Sequence, residues 1–271
     1  MSVPNASHHT TDAVVRRVAA TGNEPRSRGA IVVGASSGMG EALVLQLARE
    51  GYTVGAVARR GDKLAALAKE MELEPGRVVP LAHDVTDTAG VQAAFTQLAS
   101  EIENVELFLY AAGVMPEVGP TEYNTQKDLQ QVAVNLGGAM AWCNEAANLF
   151  QSQRSGTLVG IGSVAGDRGR KGNPAYHATK AGFATYLESL RNRLSEVGVH
   201  VLTIKPGMVE TPMTEDLGEL MWPISAEVAA ATILGSARRG FFNTRYVPMR
   251  WWAVGTVIRA IPSFIFKKMS I

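Results

Sequence analysis

Short apolar runs alternate with amphipathic segments along most of the chain, and this alternation constrains the fold more than any other feature. Helical periodicity fills the intervals between runs that have the length of buried strands. Strands separated by helices require crossover connections and a parallel sheet covered on both faces. We therefore predict a single α/β domain with a doubly wound parallel sheet. The predicted strands are 30–33, 52–58, 77–82, 107–111, 157–161 and 199–204, and the predicted helices are 41–50, 63–71, 91–102, 129–151 and 175–198.

The size and composition of the chain agree with one such domain and narrow its partners. The 271 residues are 46% hydrophobic, which suffices for one sizeable core but not for two ordinary domains. The 26 basic and 25 acidic residues include no long basic run, which argues against a nucleic-acid partner. Cys143 is the only cysteine, so an internal disulfide is excluded. The five histidines lack zinc-site spacing, and we expect a cytoplasmic protein without a metal.

The N-terminal segment falls outside the alternation. Residues 1–28 are polar and lack the apolar core of a signal peptide. We expect a poorly ordered extension, with at most a short helix near residues 13–20. The predicted domain then covers residues 29–246.

The C-terminal segment, residues 247–271, has an amphipathic pattern of its own. Trp251, Val254 and Ile258 follow helical spacing among basic residues, and Pro262 interrupts the apolar run. The run is therefore too short to span a bilayer. Such a helix packs on its own domain, packs on a neighbouring subunit, or lies on a membrane surface. The pattern alone leaves these three alternatives open.

A glycine-rich loop follows the first predicted strand and leads into a helix. Glycines let the backbone turn tightly and approach a phosphate, while a helix N-terminus supplies free N–H groups and partial positive charge. The position at the start of a βαβ unit favours a dinucleotide pyrophosphate site over an unliganded turn. The residues expected to contact the dinucleotide here are Gly34, Ser36, Ser37, Gly38, Met39 and Gly40.

A tyrosine and a lysine stand four residues apart, at Tyr176 and Lys180, and Ser163 precedes the tyrosine by thirteen residues. On a helix this spacing places the phenol and the ammonium on one face, one turn apart. A nearby cation favours the phenolate, so we expect Lys180 to lower the pKa of Tyr176. The phenol would then exchange a proton with a substrate oxygen near neutral pH. Chance also produces this spacing, so the pair needs support from the rest of the chain.

Together these motifs resemble the short-chain dehydrogenase/reductase family. The resemblance runs from about residue 29 to 245, with the glycine loop, the serine and the Tyr-x-x-x-Lys pair in the family's order. Asn135 matches the fourth catalytic position of the family. The resemblance implies a Rossmann-type fold, a nicotinamide cofactor and a homodimer or homotetramer. The catalytic residues that it implies are Asn135, Ser163, Tyr176 and Lys180.

The family pattern is not matched everywhere. Val33 stands where the family has a threonine before the first glycine, which removes one loop-stabilising hydroxyl. The family's Asn-Asn-Ala-Gly motif is Tyr110-Ala111-Ala112-Gly113 here, so an amide hydrogen bond near the central strands is expected to be missing. The resemblance implies further cofactor contacts at Asp84, Val85, Ala112, Gly113, Pro206, Gly207, Val209 and Thr211. For Asp84 a local capping role is the alternative, and for Thr211 a helix cap.

The end of the second strand indicates which dinucleotide is used. A carboxylate there would favour NAD, but the matching position is Ala58. Arg59 offers planar donors suited to a 2′-phosphate. The resemblance therefore implies NADP(H), with Arg59 and Arg60 as contacts. The alternative is that both arginines are solvated residues at a strand end.

These residues imply an oxidoreductase that interconverts a carbonyl compound and an alcohol. Ser163 would orient the substrate oxygen, Tyr176 would exchange the proton, Lys180 would hold the nicotinamide ribose, and Asn135 would position a water. Relatives place a mobile substrate lid at 212–224, so the apolar residues there predict a lipophilic substrate: Met213, Leu217, Leu220, Met221 and Trp222. The alternatives are a non-catalytic NADP(H) sensor and an enzyme of dehalogenase or epimerase type.

Overall fold

A sheet of seven parallel strands runs through residues 28–269, the part of the chain that the computed structural model describes. Its strands are β1 Arg28–Val33, β2 Tyr52–Ala58, β3 Arg77–Ala82, β4 Val105–Tyr110, β5 Thr157–Ile161, β6 His200–Pro206 and β9 Thr244–Val247. The order across the sheet is β3-β2-β1-β4-β5-β6-β9. A separate parallel pair consists of β7 Val209–Glu210 and β8 Ile224–Ser225. The expected N-terminal extension lies outside the described residues.

Helices cover both faces of this sheet. They are α1 Gly38–Arg49, α2 Gly61–Glu70, α3 Val91–Ile102, α4 Thr125–Val132, α5 Ala139–Gln153, α6 Pro174–Leu194, α7 Ala226–Arg239, α8 Arg250–Ala260 and α9 Ser263–Phe266. One buried core joins α1, α2 and α7 to one face of the sheet, and a second joins α3, α5 and α6 to the other. Alternate residues of β1 enter the two cores, as the period of a strand requires. The prediction of a doubly wound α/β domain is confirmed.

The large side chains of the second core hold the catalytic half of the sheet in place. Trp142, Phe150 and Phe183 are fully buried there. Burial of each such side chain stabilises the fold by roughly 1.5–3 kcal/mol relative to exposure. Phe183 belongs to α6, so its burial fixes the helix that carries Tyr176 and Lys180 against β4 and β5.

Polar caps decide where several helices begin. The side chain of Asn124 accepts a hydrogen bond from the Lys127 amide and begins α4 four residues before the predicted start of that helix. The predicted helix 129–151 is also not continuous, because a π-helical turn at Ala133–Gly138 separates α4 from α5.

Two elements late in the chain, α7 and β9, are absent from the predicted alternation. Ser225 caps α7 and Gly240 ends it with a φ of +68°, so its boundaries follow ordinary capping rules. β9 is a strand because four of its residues pair with β6. A segment of four residues has too little periodicity to show this in advance.

The helix α8 packs on its own domain through one face. Trp251 and Ile258 are buried, and a Cβ atom at Gly207 would lie only 1.9 Å from the Trp251 ring nitrogen. The Arg168 guanidinium donates to the carbonyls of Ile258 and Ile261, at 2.6 and 2.5 Å. The inner face of the helix therefore packs on its own domain, which was one of the three alternatives for the C-terminal segment. Within residues 28–269, no helix is long and apolar enough to cross a membrane.

A buried carboxylate joins this helix to the sheet. Asp167 ends a short 3-10 turn, and its side chain is only 2% exposed. Its carboxylate lies 2.5 Å from the Lys205 ammonium, accepts a hydrogen bond from the Tyr246 hydroxyl at 2.9 Å and lies 3.9 Å from the Arg259 guanidinium. These contacts connect the turn to β6, β9 and α8.

Candidate active site

A cleft opens at the carboxyl ends of β1, β2 and β4, where the order of the strands reverses. In open α/β sheets this crevice is where ligands bind. The cavity has a volume of about 320 Å³. Most of the predicted cofactor residues line it: Gly34, Ser36, Ser37, Gly38, Met39, Gly40, Arg59, Arg60, Val85, Ala112, Gly113 and Thr211.

The glycine loop is packed so closely that side chains do not fit at two of its positions. Gly34 has a φ of +93°, and a Cβ atom there would lie 2.4 Å from the Ala112 amide nitrogen. A Cβ atom at Gly40 would lie 2.0 Å from the Gly34 carbonyl oxygen. Glycine is required at both positions, because any larger residue would force β1, β4 and α1 apart.

Arg60 fixes the conformation of this loop. Its guanidinium donates to the Ser36 hydroxyl at 2.9 Å and to the Ser37 hydroxyl at 2.8 Å. These bonds stabilise the loop, in which the family's threonine is replaced by Val33. Arg59 is exposed and makes no hydrogen bond with any residue in the range 28–269. The two adjacent arginines therefore have different environments.

Asp84 caps a local turn beside the cavity. Partial burial raises the pKa of its carboxyl, but bonds from the Thr86 amide at 2.9 Å and hydroxyl at 2.8 Å outweigh this and lower it. The charge of Arg59 lowers it further. The carboxylate is thus satisfied by its own turn, which corresponds to the capping alternative, and Val85 provides the wall of the cavity at this point.

The cleft has the features that a dinucleotide needs. Ser37, at the N-terminus of α1, makes no side-chain capping bond, so the first amides of the helix stay available to an anion. The guanidinium of Arg59, on the wall of the same cleft, is exposed and offers further donors to a phosphate. The residues present therefore fit a dinucleotide.

Ser163 and Tyr176 meet beyond the inner end of this cleft. Ser163 is the N-cap of the 3-10 turn and accepts a hydrogen bond from the Ala165 amide at 3.0 Å. Burial raises the pKa of the Tyr176 phenol, and a hydrogen bond from the Ser163 hydroxyl opposes this only in part. The net direction is upward, whereas the sequence led us to expect a lowered pKa. The difference arises because burial disfavours the phenolate more than its neighbours favour it.

Lys180 lies one helical turn from Tyr176, as the spacing predicts. Its ammonium lies 5.7 Å from the centre of the Tyr176 ring and donates to the Ile161 carbonyl at 3.2 Å. Burial lowers the pKa of Lys180 to about 8. The amine therefore gains and loses its proton much closer to neutral pH than an exposed lysine does.

Asn135 is held rigidly by the backbone opposite it. Its side-chain amide donates to the Val114 carbonyl at 2.9 Å, and its side-chain oxygen accepts from the Val114 amide at 2.8 Å. A Cβ atom at Gly113 would lie 3.4 Å from the Asn135 oxygen and 3.5 Å from the Lys180 nitrogen. Gly113 is therefore the point at which the cofactor cleft meets the catalytic group.

Tyr110 has a structural role that the sequence analysis missed. It occupies the first position of the altered family motif, and its buried hydroxyl donates to the Val134 carbonyl at 2.8 Å. Val134 lies in the π-helical turn next to Asn135. The phenol thus joins β4 to the segment that carries Asn135, near the place where the amide bond was expected to be missing.

Two further residues position the catalytic helix and were also missed. Asn173 begins α6 with a φ of +47°, accepts from the Tyr176 amide at 3.4 Å and donates to the Pro116 carbonyl at 2.9 Å. Burial lowers the pKa of His177, so its neutral ring donates from Nδ1 to the Ala165 carbonyl at 2.7 Å. The Asn-Pro pair is a helix-start signal that would have identified Asn173 from sequence.

Several predicted site residues lie away from the cavity wall. Pro206 ends β6, Gly207 and Val209 follow it, and Gly207 packs against Trp251. Met213 lines the cavity, but Leu217, Met221 and Trp222 do not and are about half exposed. The Trp222 ring instead contacts Trp251 at a centroid distance of 5.9 Å. Residues 212–224, where a lid was expected, are therefore attached to α8 through Trp222.

A parallel sheet with this strand order and a glycine-lined cleft beside a buried tyrosine and lysine defines a dinucleotide-binding α/β protein. A sequence model of the family described as short chain dehydrogenase matches residues 28–221. The chain therefore belongs to this family, and it is an oxidoreductase, as its relatives are.

Two curated relatives and one solved structure illustrate the similarity. An uncharacterized oxidoreductase of Staphylococcus haemolyticus is 32% identical over 84% of this chain and 98% of its own length. A 3-oxoacyl-[acyl-carrier-protein] reductase of Bos taurus is 31% identical over 69% of this chain and 78% of its own length. The structure of levodione reductase superposes with a TM-score of 0.73 at 25% identity, covering 81% and 95% of the two chains.

Proposed function

We propose that this protein is an NADP(H)-dependent oxidoreductase that interconverts a carbonyl compound and an alcohol, with Tyr176 as the general acid and base. The observation that carries the proposal is the meeting of Tyr176, Ser163 and Lys180 beside Gly113, the residue that the cofactor cleft shares with the catalytic group. We also propose that it acts in the cytoplasm as a homo-oligomer on a lipophilic substrate. The apolar Met213 in the wall of the cleft supports that substrate class.

Each catalytic side chain has a task that follows from its environment. The bound nicotinamide would supply the hydride that forms the new C–H bond at the carbonyl carbon. Tyr176 gives its phenolic proton to the carbonyl oxygen, which the Ser163 hydroxyl holds in place by a hydrogen bond. The raised pKa of Tyr176 keeps that proton on the phenol at neutral pH, as reduction requires. Lys180 would hold the nicotinamide ribose, and Asn135 keeps the backbone at Val114 in place.

Turnover of NADPH with a panel of ketones and aldehydes tests this proposal. We expect oxidation of NADPH, followed at its near-ultraviolet absorbance, to depend on a carbonyl substrate and to favour apolar ones. The product should be the corresponding alcohol. Tight NADPH binding without turnover of any carbonyl in the panel would instead identify a sensor protein. Turnover that needs no added dinucleotide would identify dehalogenase or epimerase chemistry.

The two arginines after β2 should respond differently to substitution. Arg59→Gln removes a guanidinium that we propose binds the 2′-phosphate, and charge-assisted bonds of this kind contribute about 1.5–3 kcal/mol. We expect KM for NADPH to rise about 10- to 100-fold, while KM for NADH stays unchanged. Arg60→Gln removes the bonds to Ser36 and Ser37, so it should raise KM for NADPH and KM for NADH to a similar degree. Equal effects of Arg59→Gln on NADPH and NADH would contradict the assignment.

A further inference from the structure

The outward face of α8 is apolar, although the helix lies on the surface of the domain. Its inner face, with Trp251 and Ile258, is buried. Its other side exposes Trp252 by 50% and Val257 by 62%, and no charged side chain lies between them on the helix. A surface helix of a soluble domain normally places polar and charged residues on this side. The exposed apolar side chains continue into α9, at Phe264 and Ile265.

The charged residues of α8, and of the segment that follows it, are all basic. Arg250 and Arg259 stand nine residues apart, which at about 100° per residue places them on opposite edges of the helix. Lys267 and Lys268 follow α9 and are exposed. From residue 228 to residue 271 the sequence contains no aspartate and no glutamate. The rim that α8, α9 and the two lysines give to the apolar face therefore carries charge of one sign.

Because the rim on these helices is positive, the face is better suited to an anionic lipid surface than to a second copy of the chain. In a two-fold dimer through this face, the same patch would meet itself, and the positive rims would repel each other. An anionic bilayer attracts each surface base by about 1 kcal/mol and accepts Trp and Phe side chains at the boundary between headgroups and acyl chains. A homo-oligomer formed through another surface is compatible with this arrangement.

We propose that the outward face of α8 and α9, defined by Trp252, Val257, Phe264 and Ile265, docks on an anionic lipid surface. The lid segment lies next to this face, because the Arg250 guanidinium donates to the Trp222 carbonyl at 2.9 Å and Trp222 packs on Trp251. Docking would thus hold the lid segment close to the bilayer. The proposal concerns binding alone, and it stands whether or not the proposed carbonyl reduction is confirmed.

Flotation of the intact protein with vesicles tests the proposal. We expect it to float with vesicles that contain phosphatidylglycerol and to stay behind with vesicles of phosphatidylcholine alone. Val257→Glu places a negative charge on the apolar face and should lower the partition coefficient at least about tenfold. Lys267→Gln together with Lys268→Gln should lower it about 30-fold, from about 1 kcal/mol for each base. Leu73→Glu, a matched change at a fully exposed leucine far from this face, should leave partitioning unchanged.

Three results would overturn the proposal. The first is failure of the intact protein to float with anionic vesicles, and the second is flotation of Val257→Glu equal to that of the unaltered chain. The third is conversion of a dimer into a monomer by Val257→Glu in analytical ultracentrifugation, which would assign the face to a second copy. The thermal midpoint of Val257→Glu should equal that of the unaltered chain, since the side chain is 62% exposed, and so loss of flotation would not reflect unfolding.

Discussion

Replacing Tyr176 by phenylalanine should reduce kcat for NADPH-dependent carbonyl reduction about 1000-fold, because general acid catalysis by a placed side chain contributes about 10²–10⁴-fold. The substitution removes the phenolic proton and leaves the ring in place on α6. The packing of the cleft is therefore retained, and we expect the dissociation constant for NADPH to change less than about threefold. Steady-state kinetics and fluorescence titration of NADPH measure the two quantities.

A second tyrosine on the same helix provides the matched control. Tyr186 is partly buried, and its hydroxyl donates to the Asn144 side chain at 2.6 Å, away from the cleft. Tyr186→Phe removes the same atom from α6 and should keep kcat within about twofold. The catalytic role of Tyr176 is refuted if Tyr176→Phe retains most of its turnover, or if both variants lose the same fraction.

Replacing Asp167 by asparagine should lower the free energy of unfolding by about 3–5 kcal/mol, because loss of one partner leaves a buried charge without compensation. The Lys205 ammonium, 2.5 Å from the carboxylate in a side chain only 12% exposed, is the charge that would be left. Denaturant unfolding measures the change. Turnover should fall as well, since Asp167 ends the turn that Ser163 begins.

An exposed ion pair provides the comparison for Asp167. Glu106 lies 3.0 Å from Arg28, and both side chains are at least 40% exposed. Glu106→Gln should change the free energy of unfolding by less than about 1 kcal/mol, as is typical of surface pairs. If Asp167→Asn is no more destabilising than Glu106→Gln, the contacts of Asp167 do not anchor α8. The helix must then be held by Trp251 and Arg168 instead.

The sequence was sufficient for most of the fold because the strands are buried and bounded by glycines or polar residues. The predicted bounds of β2, β3, β5 and α3 are the observed ones. Prediction of the secondary structure failed where a segment is too short to show periodicity, or where a tertiary contact determines its conformation. β9 is a strand through its pairing with β6, and the π-helical turn, which ends in two glycines, lies inside a segment that was predicted as one continuous helix.

In the candidate site, residue identities could be predicted and environments could not. The spacing of Tyr176 and Lys180 was enough to place them one turn apart. The direction of the Tyr176 pKa depends on burial, which no local pattern shows. The distinct environments of Arg59 and Arg60 likewise depend on where Ser36 and Ser37 lie once the chain is folded.

The π-helical turn at Ala133–Gly138 has a consequence for how this segment tolerates changes in length. A π turn contains one residue more than the α turn that would otherwise join the two helices. Deleting a single residue here would let α4 and α5 join as one regular helix without moving the cores on either side. Asn135 would then rotate by about 100° and lose its two bonds to Val114. The one additional residue of the π turn is therefore what directs the Asn135 side chain toward Val114 and the cleft.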